Sequence, residues 1–581
     1  MSAIAGLLRT DRHAVEVEPA ERMAAVLGRP GDDDSYRSPD GRAALAVAGA
    51  PLLANETHDI WLVLDGEILN YRPLRHTLEL LGHRFRGTSP AEVALHAYEQ
   101  WELDFPAHLH GAFALALWDD RRDRLVLARD RLGCKPLFVA RHRGRLGFAS
   151  GIGAVLAGLD LPRRLDPTAL AHYLTLGSVP APATLVAGVS ALAAGEVLVV
   201  GRDGGPRRHR WRDLLPGGTP PLRGLPAERH AGNLRTLLEC AVADRLEGAR
   251  GVGLWLTPEP ASGAIAAIVT RLTGASPPSV MVGAAGEDSP AIAAMRGLAA
   301  AARLDPAELR LSAADVAAAV PAMVGAMVAP VAAPELVPAW FATAALAHSR
   351  VGAVLAHGGA GQVLLDAPAY GALRPRGWGR LRRWLTAPAR ALPAPLFTNA
   401  ATGLVTLELP AAPPALPTLP AWLGNDALAV AGVDDLTLRV VDGAAPAMAA
   451  IAGAHAVSMR LPFLDAALVD YALGVPSRVR ANPRLLGDLV PAAVTAGRPP
   501  PALPLASWLA GPLGELVIER AARWPVLERA AVAALVEVHR ADPIHATRLW
   551  AVLVLAEWCL GLGLDQVAPA DSSVELVYSR S

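Results

Sequence analysis

Lysine is almost missing from this 581-residue chain. Lys135 is the single lysine among 54 basic residues. With 50 prolines and many alanines, this bias reads as coding composition and not as chemistry. Cysteine is scarce too. Cys134, Cys240 and Cys559 lie far apart without metal-ligand spacing, which excludes a disulfide framework or a cysteine zinc site and fits a reducing compartment. Excess charge of either sign is absent, with 54 basic residues against 55 acidic and a formal net charge of -1. Nucleic-acid and membrane-surface partners normally require a basic excess, so neither is expected. The first residues, MSAIAGLLRT, lack the basic-then-apolar order of a signal peptide. No apolar run reaches the roughly 18 to 20 residues of a membrane span without proline, glycine or charge interrupting it. The expectation is a cytoplasmic protein.

What is present is enough chain for two domains with substantial cores. Residues 1 to about 160 alternate short strands with turns. Trp61 to Leu64 reads as a strand entering a turn at Asp65, Gly66 and Glu67, with an amphipathic helix from Pro73 to Leu81. Gly111 to Trp118, Arg124 to Ala128 and Arg145 to Ala149 read as buried strands, with a polar hairpin loop from Asp119 to Asp123. Two sheets packed face to face, an α+β sandwich, are expected. A connector runs from Leu165 to Val200, its Asp166-Pro167 pair opening a helix. The second part has strands at Val252 to Leu256, Ser279 to Val282 and Gly352 to Leu355, which predict an α/β domain with a parallel sheet. The expected division is 1-212 for the first domain with its connector, 213-227 for a linker, 228-567 for the second domain and 568-581 for a flexible tail. Thr386 to Leu423 reads as a Pro/Ala-rich insertion.

Val252 to Leu272 reads as a strand, a turn and an apolar helix beginning near Gly263, the unit that opens nucleotide-binding domains. A turn that cradles phosphate needs glycines whose N–H groups point at the anion. Here it is Thr257, Pro258, Glu259, Pro260, Ala261, Ser262 and Gly263: two residues without an N–H and one carboxylate that repels phosphate. The position is that of an ATP site; the residues are not.

Several ordered blocks carry a resemblance. Asp65-Gly66-Glu67-Ile68-Leu69-Asn70, Gly111-Ala112-Phe113-Ala114, RDRLGCKPLF (Arg129 to Phe138), Gly177 to Pro182, HAVSMRLPFLD (His455 to Asp465) and Arg548-Leu549-Trp550-Ala551 resemble, in order, blocks of glutamine-dependent asparagine synthetases. That resemblance covers nearly the whole chain. It implies an N-terminal class II glutaminase domain of the Ntn type and a C-terminal ATP-pyrophosphatase-like synthetase domain. In the first, an N-terminal cysteine attacks the glutamine amide with its own α-amine as base. In the second, ATP with Mg²⁺ adenylates a carboxylate and ammonia displaces AMP. Dimer formation is implied as well.

Matched residue by residue, the chemistry is mostly replaced. The nucleophile position carries Ser2. The family's oxyanion-hole asparagine corresponds to Asp65, beside Gly66, so a donor has become a carboxylate. The acid that anchors the glutamine amino group corresponds to Pro90 in Ser89-Pro90-Ala91-Glu92, while Arg42 matches the arginine that grips the glutamine carboxylate. The pyrophosphate loop corresponds to Thr257-Pro258-Glu259-Pro260-Ala261-Ser262 and keeps only its last serine. The second acidic loop corresponds to Ala356-His357-Gly358-Gly359-Ala360-Gly361-Gln362, so no carboxylate remains at the family's Mg²⁺ positions. Arg460 and Asp465 persist, with Ser458 in place of a glutamate.

Other polar residues have plain readings. His357 lacks a sequence partner that would make it a base or ligand, so it caps or packs in its loop. Glu259, between two prolines, belongs in a solvated turn. Asp32-Asp33-Asp34 is a solvated acidic loop. Cys134 is a buried small hydrophobe, and Arg129 with Asp130 a buried structural pair. Folding blocks kept while site residues are replaced read as a pseudoenzyme, an oligomeric structural or regulatory partner of an active paralogue. The alternative is an ATP-dependent amide-forming ligase of altered chemistry, of the β-lactam or lasso cyclase kind or an asparagine synthase, which would need ATP and Mg²⁺.

Overall fold

The computed structural model describes residues 2–10, 15–28, 33–214, 222, 224–286, 288–366, 370, 396–397, 403–407, 409–410, 419, 423, 426–482, 485 and 502–568. The expected insertion, linker and tail, and Asp32 of the acidic run, fall wholly or mostly outside these. The chain forms two compact units, one of Met1–Ala171, Val179–Leu214 and Cys559–Ser581, the other of His172–Ser178 and Leu215–Trp558. Gln566–Val567, placed by the sequence in the second domain, pairs in parallel with Arg164–Leu165 inside the first unit.

The first unit is built on two six-stranded sheets. Its strands are β1 (Ala3–Arg9), β2 (Asp34–Arg37), β3 (Ala43–Ala48), β4 (Leu53–Ala54), β5 (Ile60–Ile68), β6 (Gly111–Asp119), β7 (Arg124–Arg129), β8 (Phe138–His142), β9 (Arg145–Ala149), β10 (Arg164–Leu165), β11 (Val189–Ala191), β12 (Glu196–Val200) and β13 (Pro206–Arg210). One sheet runs β11-β8-β9-β1-β3-β2, the other β13-β12-β7-β6-β5-β4. Ile4, Val47, Val63, Trp118, Leu127 and Phe148 belong to the buried cluster shared by both sheets. The helices Glu18–Leu27 and Ile152–Leu159 cover the outer face of the first sheet, and Glu92–Trp101 that of the second. The result is the expected sandwich with helices on both outer faces. Alanine fills four of the six positions of β3, and Gly6 in β1 leaves room for Phe148, whose ring would lie 2.4 Å from any Cβ there.

Two local expectations are corrected here. Asp65 to Glu67 is not a turn: β5 runs on to Ile68, with Asp65 opposite Ala114 and Gly66 opposite Phe113. Gly66 holds a φ of +126°, and a Cβ there would meet the Ala112 carbonyl oxygen at 2.0 Å, so glycine lets the two strands close. The helix forecast from Pro73 spans Tyr71–Leu80.

The second unit holds a five-stranded, all-parallel sheet, its strands being β14 (Val252–Leu256), β15 (Ser279–Ala284), β16 (Ala307–Leu311), β17 (Ala353–Leu355) and β18 (Ser458–Arg460). The order is β16-β15-β14-β17-β18. The chain builds outward from β14 in one direction, then returns to add β17 on the other side. Ligands of open α/β sheets sit at such a switch point, outside the strand C-termini. The loops after β14 and β17 meet there. Helices clothe the sheet, and Gly253 and Gly263 admit the side chains of Leu346 and Leu298 where a Cβ would collide with them. Ala427–Ala454 is long and apolar enough to cross a membrane by length and composition, yet most of it is buried in protein. Its central turns, Leu436–Ala444, are a π-helix. Asp166 opens its helix as expected, accepting from the N–H groups of Thr168 and Ala169.

Candidate functional site

The first candidate lies where β1, β5 and the segment after β7 converge. Asp65 is buried and both its oxygens are taken: Lys135 Nζ donates to Oδ1 at 2.8 Å and Ser150 Oγ to Oδ2 at 2.9 Å. Ser150 Oγ in turn accepts from the Ile4 N–H at 3.1 Å, two residues beyond Ser2. The position from which the family's donor would face an oxyanion is therefore an ion pair, locked to the strand that begins beside Ser2. Lys135 stands out in the sequence as the only lysine, but its pairing does not, because its partner lies 70 residues away.

Lys135 is held in place by its neighbours. Asp130 accepts from the N–H groups of Phe113, Leu132, Cys134 and Lys135, while Arg129 donates to the carbonyls of Gly133, Lys135 and Leu192. Each of the pair is satisfied by backbone. Cys134 is only partly buried, which corrects its reading as a buried hydrophobe. Arg42 does not present a free guanidinium: it donates to the carbonyls of Gly201 and Arg9 and pairs with Asp123. Its role is to tie β-strand ends and loops together, so the expected carboxylate grip is not available as the chain stands. In the Ser89 to Glu92 segment, Glu92 turns back to accept from the N–H groups of Arg86 and Gly87.

The second candidate is the cleft at the switch point, about 370 Å³ in volume. The helix after β14 spans Pro260–Thr273, three residues earlier than expected, because proline's fixed φ suits a first helical position. Ser262 points inward: its hydroxyl accepts from the Thr257 N–H at 3.0 Å. So the one serine kept from the phosphate loop closes its own turn. Pro258 and Pro260 have no N–H, Thr257 has spent its own, and Glu259 stands at the helix N-terminus.

His357 is not isolated. Its Nδ1 lies 3.3 Å from Thr257 Oγ1, its Nε2 lies 3.7 Å from Glu259 Oε2, and its ring packs edge-on to Trp255. This also corrects Glu259, which faces the cleft and not only solvent. Gly359, at φ +85°, begins the short helix Ala360–Val363. Gln362 and Tyr370 donate to Asp435 Oδ2, both at 2.9 Å, and Arg439 pairs with its other oxygen at 3.3 Å. Glu335, Arg439 and Arg480 also line the cleft, and no motif marks any of the three. Arg480 is 1% exposed, donates to the Val363 carbonyl, and leaves Nε and one Nη2 without a hydrogen-bond partner among the described residues. Burial pushes its guanidinium down to about 10, so it stays charged at neutral pH. Arg460 and Asp465, retained from the family block, act in structure: Arg460 donates to the Arg245 and Glu247 carbonyls, and Asp465 caps a helix and pairs with Arg245.

Glu335 opens to solvent in the cleft but is crowded by protein elsewhere. That desolvation, with the Glu259 and Asp435 charges nearby, pushes its carboxyl above the usual range. A raised folded-state pKa adds stability below the unfolded value, about 4.3, which is lost as pH rises through the folded value. Glu335→Gln is therefore expected to match the parent in thermal melts near pH 4 and to exceed it progressively toward pH 8. Parallel curves at every pH would contradict this.

A helix-covered sandwich and a parallel sheet with its cleft at the switch point define a two-domain protein of the glutamine amidotransferase type. Residues 1–212 match the model of the glutamine amidotransferase domain and residues 233–560 that of asparagine synthase, the second taking more than half of the chain. The chain belongs to the asparagine synthase family. It is 32% identical over 272 residues to asparagine synthetase [glutamine-hydrolyzing] 3 of Bacillus subtilis, covering 44% of this chain and 42% of that one. To asparagine synthetase [glutamine-hydrolyzing] 2 of the same organism it is 33% identical over 153 residues, covering 25% and 20%. The chain thus spans less than half the length of these curated relatives. A solved glutamine phosphoribosylpyrophosphate amidotransferase from B. subtilis is 14% identical, with a TM-score of 0.27 over 48% of this chain and 65% of that one.

Proposed function

We propose that this chain is a catalytically degenerate member of its family, a cytoplasmic partner that binds an active asparagine-synthetase paralogue and stabilises or regulates it. The observation that carries the reading is the turn after β14, whose retained serine closes on Thr257 while Glu259 stands where phosphate would lie. Asp65 supports it from the other unit, since the family's donor position there holds a carboxylate already paired with Lys135. The sheets of each unit are complete around both altered sites, as in a protein retained for its surfaces. The test is sedimentation of the purified chain mixed with an intact asparagine synthetase from the same genome. A heteromer with altered synthetase turnover is the expected result. Two separate species at micromolar concentrations, with turnover unchanged, would remove the partner role.

One observation favours a second reading, a ligase of altered chemistry. The cleft is open, and Arg480 holds a buried charge with unmatched N–H groups beside it. Such an arrangement suits an anionic ligand smaller than ATP.

A further inference from the structure

On the outer face of the second sheet in the first unit, three side chains converge that neither altered site uses. The helix Glu92–Trp101 carries His96 and Glu99 one turn apart, on one face. His83 arrives from the turn after Tyr71–Leu80. One ligand atom from each lies within 4.8 Å of the other two, the one such group of its kind among the described residues. Glu99 Oε2 is 3.0 Å from His96 Nδ1 and 3.6 Å from His83 Nδ1. Ligands 2.0–2.2 Å from a tetrahedral ion stand about 3.3 Å apart, so these separations bracket the required one.

The surroundings orient the donors. His83 Nε2 lies 3.0 Å from Gln100 Oε1; that amide oxygen only accepts, so Nε2 carries a proton and Nδ1 is the ring nitrogen turned toward the Glu99 carboxylate. Glu99 Oε1 is occupied by Asn55 Nδ2 at 2.8 Å, with Arg121 beyond it at 3.4 Å, which leaves Oε2 for the centre. His96 is 2% exposed in its side chain, and its Nε2 faces Glu92 Oε1 at 3.8 Å. Glu92 itself is fixed by the N–H groups of Arg86 and Gly87. A carboxylate behind a ligating imidazole is the usual outer support of a metal site. The side chains of His83 and Glu99, 15% and 17% exposed, leave a way in from solvent.

We propose that His83, His96 and Glu99 bind a divalent transition ion of the zinc class, through two imidazole nitrogens and one carboxylate oxygen with a fourth position open to water. The ion would staple His83 to the helix Glu92–Trp101, and so brace the segment between them, which includes Ser89 and Pro90. In this reading a metal stabilises a loop that no longer holds an amino acid.

The test uses the full chain, stripped with chelator and titrated calorimetrically with Zn²⁺, and with Co²⁺ followed by its visible absorption. One equivalent is expected to bind with a dissociation constant below about 1 µM, with tetrahedral cobalt bands and a raised melting temperature. His83→Ala, at a partly exposed position, is expected to abolish the cobalt bands and the thermal shift; His76→Ala, on the neighbouring helix, leaves both intact. Gln100→Ala, which removes only the support of His83, is expected to weaken binding roughly 10- to 100-fold. Absence of stoichiometric binding by the parent chain overturns the proposal. So does binding that survives unchanged in a folded His83→Ala protein.

Discussion

Lys135→Met is expected to lower unfolding free energy by about 3–5 kcal/mol in urea titration. The lysine ammonium is buried against Asp65, with side-chain exposures of 9% and 6%. Once it is gone, Asp65 keeps the Ser150 hydroxyl as its one side-chain hydrogen-bond partner among the described residues, at a position 4% exposed. An uncompensated buried carboxylate is among the costliest single defects a core can carry. The direction reverses when both charges leave together: Asp65→Leu combined with Lys135→Met is expected to recover most of the loss, since apolar replacements of a whole buried pair are often neutral. Asp65→Asn, which restores the family's residue, strands Lys135 and is expected to destabilise as well. A Lys135→Met protein within 1 kcal/mol of the parent would show that water reaches the pair and that the pocket is open after all.

This pair also marks how far the sequence could be read. β14, β7 and β9 were legible because their side chains are buried in continuous apolar runs, and the Asp166-Pro167 helix start because capping is local. The Gly66 segment misled, since Asp-Gly-Glu carries turn chemistry, while the strand there rests on the close approach of Ala112 across the sheet. Within the sites, the replaced residues themselves were legible and their new partners were not. His357 was read as solitary because Thr257 lies 100 residues away, and Arg42 as a ligand grip because Asp123 and Gly201 do not adjoin it in sequence. Glu335 and Arg480 had no motif to mark them. Only the topology that brings distant segments to one cleft shows them. The histidine cluster is illegible for a related reason: His83 lies 13 residues from His96, outside any metal-ligand spacing, and only the fold brings it beside His96 and Glu99.

Titration of the chain with ATP and Mg²⁺ is expected to give no binding heat up to about 1 mM, a limit that corresponds to roughly 4 kcal/mol. Phosphate recognition at a strand-turn-helix unit depends on free N–H groups and the positive end of the helix. Here Pro258 and Pro260 supply none, the Thr257 N–H is bound to Ser262, and Glu259 opposes an anion at the same helix end. Glu335 and Asp366 add further carboxylates to the cleft lining, and of the two arginines that line it among the described residues Arg439 is already paired with Asp435. Arg480 remains as the charge with donors to spare, enough for one carboxylate-sized group and far from enough for a triphosphate. Replacing Arg480 by methionine then separates the two functional readings. A pseudoenzyme with an empty cleft tolerates the change or gains stability, because an unmatched buried charge is removed. An altered ligase loses its substrate contact, and its ligand-induced rise in melting temperature disappears. Micromolar binding of ATP by the parent chain would overturn both expectations, since it would require this turn to open and Ser262 to release Thr257.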